Sequence, residues 1–293
     1  MTLDICVPFW GDPAIFRLTI DSVRAQTDPN WRLTIIDDGY PGDEIEAYVA
    51  TLGDSRIEYR RNETNVGITE NFRRAVDAAR GSHVVVLGSD DLLLPDYVSH
   101  VRSIVAAHPE VDVIQPQVVV IDAEGRPART LVDTVKLRLL TPRRPTTLHG
   151  ENMAKSLLRG NWLYWPSLAL RVESVRAVGF RDGLPIILDL ALLVDIAMRD
   201  GTLRYTGVTC FAYRRHAGSL SQSALRDGSR FIDERRFYRE CADAAAARGW
   251  HKAARAARWR LMSRLHALSV LPAMIKEGSA DARRAACELT FGR

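Results

Sequence analysis

The stretch "VVVLGSDDLLLPD", residues 84–96, decides how the first half of this chain is interpreted. Its opening run of β-branched and aliphatic residues is typical of a buried strand. Asp90 and Asp91 follow at once, although adjacent carboxylates repel each other and are costly to desolvate without a positive charge nearby. The pair therefore indicates either a solvated turn, in which one acid caps the next element, or a cation site at the carboxyl end of a sheet strand.

Strand and helix signals alternate around this stretch, which predicts an α/β protein with a mostly parallel twisted sheet and helices on both faces. Ligands of such sheets bind outside the carboxyl ends of the strands. A second acidic pair, Asp37 and Asp38, ends another strand, so the two pairs together point to a binding site. The predicted strands are "LDICVPF" (3–9), "WRLTIID" (31–37), an edge-like "RIEYRR" (56–61) and "HVVVLG" (83–88); the predicted helices are 14–26, 69–80 with Thr69 as its cap, and one after Pro95.

The second half has a looser pattern and ends in a basic, Ala-rich tail. Residues 226–293 carry 15 Lys and Arg against 8 Asp and Glu, whereas residues 1–225 carry 25 against 28. This asymmetry predicts an α/β body and a separate C-terminal helical extension. Within the body, strands are predicted at 112–122 and 202–216, a loop at 136–147, and helices at 150–159, 172–178 and 185–199.

Composition excludes several classes of protein. The 293 residues contain no apolar run near the roughly 18 residues that span a bilayer. The first ten residues lack the basic cluster of a secretory signal, so we expect a cytoplasmic protein, or one held peripherally at the inner face of the membrane. Four dispersed cysteines, with no C-x-x-C pair, argue against a zinc site or a disulfide framework. Nucleic-acid binding is not expected, because no aromatic-plus-basic motif accompanies the charge.

The segments "ICVPFWGDP", "SVRAQT", "LTIIDDGYPGD", "NVGITENFRRAVDAARG" and "VVVLGSDDLLLPD" occur in this order. Together they resemble the nucleotide-sugar-binding half of an inverting family 2 glycosyltransferase with the A-type fold. The resemblance covers residues 1–100 well and residues 160–223 more thinly. It implies a catalytic domain at 1–225, with a nucleotide-sugar-binding half (1–120) and an acceptor half (121–225), followed by the basic helical extension at 226–293.

The resemblance implies a donor site at the ends of the first strands. Pro8, Phe9 and Trp10 would contact the nucleotide, and Asp38 would accept a hydrogen bond from the ring N–H of a base such as uracil. Arg60 and Asn65 lie where the family often contacts base or phosphates. An alternative for Asp37-Asp38-Gly39 is a tight turn, in which these residue types are favoured.

The opening stretch corresponds to the family's metal motif, Asp-x-Asp or Asp-x-Asp-Asp. Asp90 and Asp91 match its last positions and would hold ribose and Mn²⁺ or Mg²⁺, which stabilises a departing nucleoside diphosphate. Gly88 stands where the family has the first acid, which puts tight metal binding in question. In "YRRHAGSLS" (213–221), His216 would complete the metal shell or contact the diphosphate, and Arg214 would clamp phosphate.

An inverting transfer needs a base, which the family places at the start of a helix in the second half. Asp189 matches it, with Leu188 in place of the family's Glu, and its aliphatic neighbours would strengthen a carboxylate as a base. Asp189 could equally be a helix-capping residue, and Asp195 is its main competitor. Trp162 and Trp165 either line an acceptor site or belong to the core.

We therefore predict metal-assisted transfer of a sugar from a nucleotide sugar, a UDP-sugar above all, to a hydroxyl of a glycan, a lipid-linked or another small acceptor. The alternatives are a catalytically silent nucleotide-sugar-binding protein, motivated by Gly88 and Leu188, and a sugar nucleotidyltransferase, disfavoured because "VPFWGDP" is not a glycine-rich phosphate loop. The basic segment 251–271 is expected to form one helix that packs on the body, mediates a homodimer or lies on anionic lipid.

Overall fold

A computed structural model describes residues 1–128, 130–215 and 229–277. Its first half alternates strands and helices as expected. Helix α1 begins at Pro13 because the carboxylate of Asp12 caps it, accepting a hydrogen bond from the Ala14 amide at 2.8 Å. The elements are β1 (Leu3–Phe9), α1 (Pro13–Arg24), β2 (Trp31–Asp37), α2 (Glu44–Leu52), β3 (Ile57–Arg61), α3 (Ile68–Asp77), β4 (His83–Val86), β5 (Leu92–Leu93) and α4 (Tyr97–Ala107).

The second half contains more regular structure than the sequence predicts. The expected loop at 136–147 is wrong, since it holds a π-helix and a strand. Two short strands, β5 and β8, were also missed because each is only two or three residues long. The elements are β6 (Val113–Ile121), α5 (Leu131–Val135), the π-helix (Lys136–Leu140), β7 (Thr146–His149), α6 (Gly150–Arg159), a 3₁₀ turn (Trp165–Ser167), β8 (Ala169–Arg171), α7 (Val172–Val178), α8 (Leu188–Met198), β9 (Thr202–Arg214), α9 (Ser229–Ala247), α10 (His251–Trp259) and α11 (Leu261–Glu277).

Within the described residues the strands form one nine-stranded mixed sheet in the order β3-β2-β1-β4-β8-β6-β9-β5, with β7 also paired to β9. β3, β2, β1 and β4 are mutually parallel, which confirms the predicted parallel half and the edge position of β3. β8 runs antiparallel to both β4 and β6 and joins the two halves. The carboxyl ends of β1, β2 and β4 therefore meet at one edge, where both acidic pairs lie.

Helices cover both faces of the sheet, as predicted. One buried cluster packs α1, α2 and α4 on one face, through residues such as Phe16, Ile45 and Val98. The other cluster packs α3, α6, α7 and α8 on the opposite face. Apolar residues of α9 and α10, including Phe237 and Ala253, belong to that second cluster, so the C-terminal helices share the core of the body.

The C-terminal helices depart from the prediction of one helix over 251–271. Arg260 ends α10 with φ of 34°, in the left-handed region that non-glycine residues rarely adopt, and α11 begins after it. At the other end of α10, Glu151 accepts hydrogen bonds from the amides of Lys252 and Ala253. A carboxylate there stabilises the helix N-terminus. Among the helices that the structure describes, none is both long and apolar enough to cross a bilayer.

Candidate functional site

The acidic pair that follows β4 is partly withdrawn from solvent. Asp91 is 1% exposed, and its Oδ1 accepts a hydrogen bond from the Arg214 amide at 2.8 Å. Its Oδ2 is buried with no hydrogen-bond partner among the described residues. Burial, and then the neighbouring charge of Asp90, raises the pKa of Asp91 well above its usual range. A buried oxygen of this kind is an incomplete polar site that a cation would satisfy.

The sheet holds this pair in place from three sides. Thr19 of α1 donates a hydrogen bond to the carbonyl of Ser89 at 3.1 Å, and the Leu87 amide donates to the carbonyl of Cys6 in β1 at 2.9 Å. Immediately after the pair, β5 pairs antiparallel with β9, with Leu92 opposite Ala212. This pairing brings the Arg214 amide to Asp91, so the acids lie between the strand ends of both halves of the chain.

The absence of a side chain at Gly88 leaves room for the carboxylate of Asp91. A Cβ atom at residue 88 would lie 2.5 Å from Asp91 Oδ2 and 3.1 Å from Asp90 Oδ1. The Asp91 carboxylate therefore occupies the space that a side chain at residue 88 would need. Gly88, the residue that departs from the family motif, thus leaves the space in which the Asp91 carboxylate lies.

Arg214 lies beside the acidic pair but is 3% exposed. Its guanidinium donates hydrogen bonds to the backbone carbonyls of Asp90 at 2.8 Å and Ala123 at 2.8 Å. In this structure Arg214 therefore fixes the backbone around the pair, and a direct contact with phosphate stays a prediction. His216 lies outside the described residues.

The second acidic pair organises the neighbouring loop. Asp37 accepts hydrogen bonds from the Tyr40 amide at 2.7 Å and the Tyr59 hydroxyl at 2.5 Å. Asp38 is 3% exposed, and it accepts hydrogen bonds from the amides of Val66 at 2.9 Å and Gly67 at 3.1 Å.

The expected cap of α3, Thr69, is therefore wrong. Gly67 takes the cap position, and Asp38 binds the amides of Val66 and Gly67 directly before the helix. The side chain of Asn62 also donates to Asp38, at 2.9 Å. Asp38 thus holds the loop between β3 and α3 against the end of β2. Its contact with a base remains a prediction.

The end of β1 presents an aromatic side chain to solvent, though not both of those expected. Trp10 is 53% exposed and meets Tyr40 edge to face, with ring centroids 6.0 Å apart. Phe9 is fully buried and stacks on Phe16 at 4.5 Å, so its ring belongs to the core, and a contact of this residue with a nucleotide stays a prediction. Pro8 is half-buried in β1.

Arg60 and Asn65, the weaker donor candidates, both have exposed side chains. Arg60 lies on the edge strand β3 and forms an ion pair with Glu58 at 2.8 Å. Asn65 lies in the loop before α3 and accepts a hydrogen bond from the Gly67 amide at 3.0 Å. Neither residue contributes to the core, and a donor contact by either stays a prediction.

Asp189 lies in the first turn of α8 and is half-buried. Asn161 donates a hydrogen bond to its Oδ2 at 3.2 Å. The competing candidate, Asp195, is held by Arg181 through two hydrogen bonds of 2.7 and 2.5 Å, and Arg181 also pairs with Glu240 of α9 at 3.1 Å. Asp195 therefore ties α8 to the C-terminal helices, which leaves Asp189 as the carboxylate of α8 next to the 160–167 segment.

The two tryptophans of the 160–167 segment have different environments. Trp162 is 2% exposed, contacts the Tyr205 ring edge to face at 5.7 Å, and donates to Ser156 at 3.1 Å. The acceptor role considered for Trp162 is corrected to a core role. Trp165 is half-buried and stacks on Phe72 with ring centroids 5.8 Å apart. The 3₁₀ turn that carries Trp165 packs against β4, β6 and β9, and Asn161 of the same segment binds Asp189.

Comparison with known proteins agrees with this geometry. The family model for glycosyl transferase family 2 matches residues 4–167, more than half of the chain. This chain belongs to glycosyl transferase family 2. The match spans the first strands, both acidic pairs and the 160–167 segment, and it weighs against the nucleotidyltransferase alternative.

The curated relatives match part of this chain. The putative colanic acid biosynthesis glycosyl transferase WcaA of Escherichia coli is 30% identical over 98 residues, 33% of this chain and 35% of that protein. The PGL/p-HBAD biosynthesis glycosyltransferase of Mycobacterium bovis is 26% identical over 119 residues, 39% of this chain and 46% of that protein. An uncharacterised protein of Sinorhizobium fredii, y4gI, is 32% identical over 38% of this chain, which spans 13% of that protein. The chain thus spans less than half the length of these relatives.

Solved structures support the same fold over nearly the whole chain. Residues 1–349 of Staphylococcus aureus TarS, in complex with UDP-GlcNAc, superpose with a TM-score of 0.73 at 12% identity, covering 99% of this chain and 79% of that one. The Pyrobaculum calidifontis mannosyltransferase PcManGT, in complex with GDP-Man and Mn²⁺, gives a TM-score of 0.60 at 16% identity, covering 96% and 77%. These likenesses confirm the predicted A-type glycosyltransferase fold.

A buried polar cluster beside the site was missed by the sequence interpretation. Asp133 of α5 is fully buried, receives two hydrogen bonds from Arg215 at 2.8 and 2.6 Å, and accepts one from the Tyr164 hydroxyl at 2.9 Å. Asn161 was also missed as a partner of Asp189. No sequence signal distinguishes these residues, because each acts through a contact made by tertiary folding. The cluster fixes the end of β9 against the 160–167 segment.

Proposed function

We propose that this chain is an inverting glycosyltransferase that moves a sugar from a UDP-sugar to an acceptor hydroxyl. The observation that supports this proposal is the buried Asp91 oxygen directly after β4 of a family 2 fold, which has no hydrogen-bond partner among the described residues. The second carboxylate that we assign to the reaction, Asp189, lies in the first turn of α8 and is bound by Asn161 of the 160–167 segment.

The acidic pair is suited to a divalent cation. Asp91 Oδ2 is a hard carboxylate oxygen without a hydrogen-bond partner among the described residues, and Asp90 lies beside it. Two carboxylates do not complete a coordination shell, and no cluster of three or more His, Cys, Asp or Glu suited to a metal occurs within the described ranges. In our proposal Asp90 and Asp91 hold Mn²⁺ or Mg²⁺ together with the donor's own phosphates. When bound, the cation would stabilise the charge of the departing nucleoside diphosphate.

Asp189 is proposed as the base that accepts the proton of the acceptor hydroxyl. Asn161 orients its carboxylate, because the side-chain amide donates a hydrogen bond to Oδ2. Direct attack of that hydroxyl on the anomeric carbon, opposite the departing diphosphate, inverts its configuration. Trp165, half-buried and stacked on Phe72, offers an aromatic surface on which an acceptor sugar could stack.

The donor class follows from the neighbours and from the end of β1. TarS is described with UDP-GlcNAc and PcManGT with GDP-Man, so both uridine and guanosine donors occur on this fold. Trp10 and Tyr40 form an accessible aromatic pair beside the loop that Asp38 fixes. We place the base there, where Asp38 would accept a hydrogen bond from its ring N–H. We favour uracil because TarS, described with UDP-GlcNAc, superposes with a TM-score of 0.73 against 0.60 for PcManGT.

Calorimetric titration tests this assignment. The proposal predicts that UDP-sugars bind the protein with Mn²⁺ present, that GDP-sugars bind more weakly, and that Asp91→Asn reduces the Mn²⁺-dependent part of the affinity. The silent alternative, motivated by Gly88 and Leu188, predicts the same binding but no turnover. Proton NMR of the released or transferred sugar separates the two, because an inverting enzyme produces the opposite anomer first.

A further inference from the structure

The C-terminal helices leave a row of apolar side chains uncovered. Leu261, Leu265 and Leu268 are one helical turn apart on α11 and are 44%, 48% and 46% exposed, while Trp259 at the end of α10 is 66% exposed. The opposite side of α11 is occupied, since Ala267 and Ser263 are buried. A contiguous exposed row of this kind is typical of an interaction surface.

The chain segment that carries this row is basic. Residues 244–276 contain seven Lys and Arg and no Asp or Glu. Lys252 and Arg255 are exposed and share one side of α10 with Trp259, at spacings of three and four residues. In a continuous helix Lys252 and Arg255 would lie opposite the leucines of α11, and the left-handed Arg260 interrupts that continuity.

Arginines crowd the junction between α10 and α11. Burial, followed by the charges of Arg264, Arg235 and Arg239, lowers the pKa of Arg260. The carboxylate of Glu234 lies at the same junction, where it accepts a hydrogen bond from the Ser263 hydroxyl.

We propose that the α10–α11 surface, formed by Trp259, Leu261, Leu265, Leu268 and the cations beside them, docks on an anionic phospholipid membrane. Apolar side chains beside basic ones are the pattern of helices that lie in a membrane interface. Charge complementarity selects this occupant over a second copy of the chain, because a second copy would bring an equally basic surface against this one.

The surface adjoins the acceptor side of the site. Met262, on α11, packs so closely on Gly160 that a Cβ atom there would lie 2.6 Å from Met262 Cγ. Gly160 precedes Asn161, which binds Asp189. Docking would therefore bring the proposed base near the bilayer, where a lipid-linked acceptor would be found. This last link rests on the proposed function, whereas the docking itself does not.

Vesicle co-sedimentation of the full chain tests the docking. The probes are phosphatidylcholine vesicles, alone and with about one quarter phosphatidylglycerol. We expect sedimentation only with the anionic vesicles, weakened by added salt, and a loss of affinity of about tenfold or more in the variant Leu261→Ser, Leu265→Ser, Leu268→Ser. Leu18→Ser, which alters a leucine of α1 that is 52% exposed, is the matched control and should bind like the wild type.

A second variant, Arg255→Gln with Lys252→Gln, keeps the apolar row and should also weaken anionic binding. Equal sedimentation of wild type and both variants, or no binding to anionic vesicles, would overturn the proposal. So would a wild-type dimer in light scattering that the leucine variant converts to a monomer, because the row would then be an interface between copies. Vesicle binding is measured without donor, so it stands or falls independently of glycosyl transfer.

Discussion

Gly88→Ala is the substitution that examines the acidic pair most closely. The new Cβ would lie 2.5 Å from Asp91 Oδ2 and 3.3 Å from its Cγ, whereas unstrained contacts of this type begin near 3.4 Å. The Asp91 carboxylate must therefore move by about 1 Å, or the turn must shift. Overpacking of this kind costs about 1–3 kcal/mol, and about 2–4 °C of melting temperature is lost for each kcal/mol. Because Asp91 carries the unpartnered oxygen, we also expect Mn²⁺ affinity to fall about tenfold.

Gly11→Ala is the matched control, because Gly11 borders the same turn. Its Cβ would lie 3.7 Å from Ser89 Oγ, an ordinary contact, so we expect no loss of stability. Thermal unfolding and calorimetric titration with Mn²⁺ and UDP supply the two readouts. If Gly88→Ala matched Gly11→Ala in both melting temperature and Mn²⁺ affinity, the inferred fit between residue 88 and Asp91 would be refuted.

Three further predictions follow from the contacts around the site. Arg215→Gln leaves the buried Asp133 carboxylate without its ion-pair partner and should lower the free energy of unfolding by about 3–5 kcal/mol, measured in urea. Burial lowers the pKa of His100, so below about pH 6.5 this imidazole takes up a proton in the unfolded chain but stays neutral in the folded protein. The free energy of unfolding should therefore fall as the pH is lowered from about 7.5 to about 5.5, and it should fall less steeply in His100→Gln. Asn161→Ala removes the hydrogen bond to Asp189 and should lower kcat about tenfold to a hundredfold with little change in the KM for donor.

Each of these has its own control. Arg126→Gln breaks an ion pair whose arginine is 71% exposed and screened by solvent, so it should destabilise the protein much less than Arg215→Gln does. If Arg126→Gln lowered the free energy of unfolding as much as Arg215→Gln does, burial would not be the reason for the large cost of losing the Asp133–Arg215 pair. An unchanged pH slope in His100→Gln would show that other groups control acid sensitivity. A rise in KM alone for Asn161→Ala would place Asn161 in substrate binding and not in the orientation of the base.

The parallel half of the sheet could be predicted because each of its signals is local. The run at 84–87 is a strand in any context, and acids at the ends of β2 and β4 must meet where parallel strands end together. The strand β8 and the helix α5 could not be predicted, because β8 forms by pairing with two distant strands and α5 is fixed by the contact between Asp133 and Arg215. The same reason explains Phe9 and Trp162, whose burial depends on Phe16 and Tyr205.

At Gly88, the sequence motif and the structure lead to different expectations for the metal site. From sequence, a missing acid suggests a weakened metal site. In the structure, the carboxylate of Asp91 lies in the space that a side chain at residue 88 would need. Restoring an aspartate as Gly88→Asp would collide with Asp91 unless that side chain turned outward.

The rate of UDP release from a UDP-sugar in Mn²⁺, compared between wild type and Asp189→Asn, tests whether Asp189 is the base. The isosteric amide keeps the shape of the side chain but cannot accept the proton of the attacking hydroxyl or water. We expect a fall in rate of about 10²–10⁴, with donor affinity unchanged. Equal rates for the two proteins would contradict it, because the proton would then be accepted by a group other than Asp189.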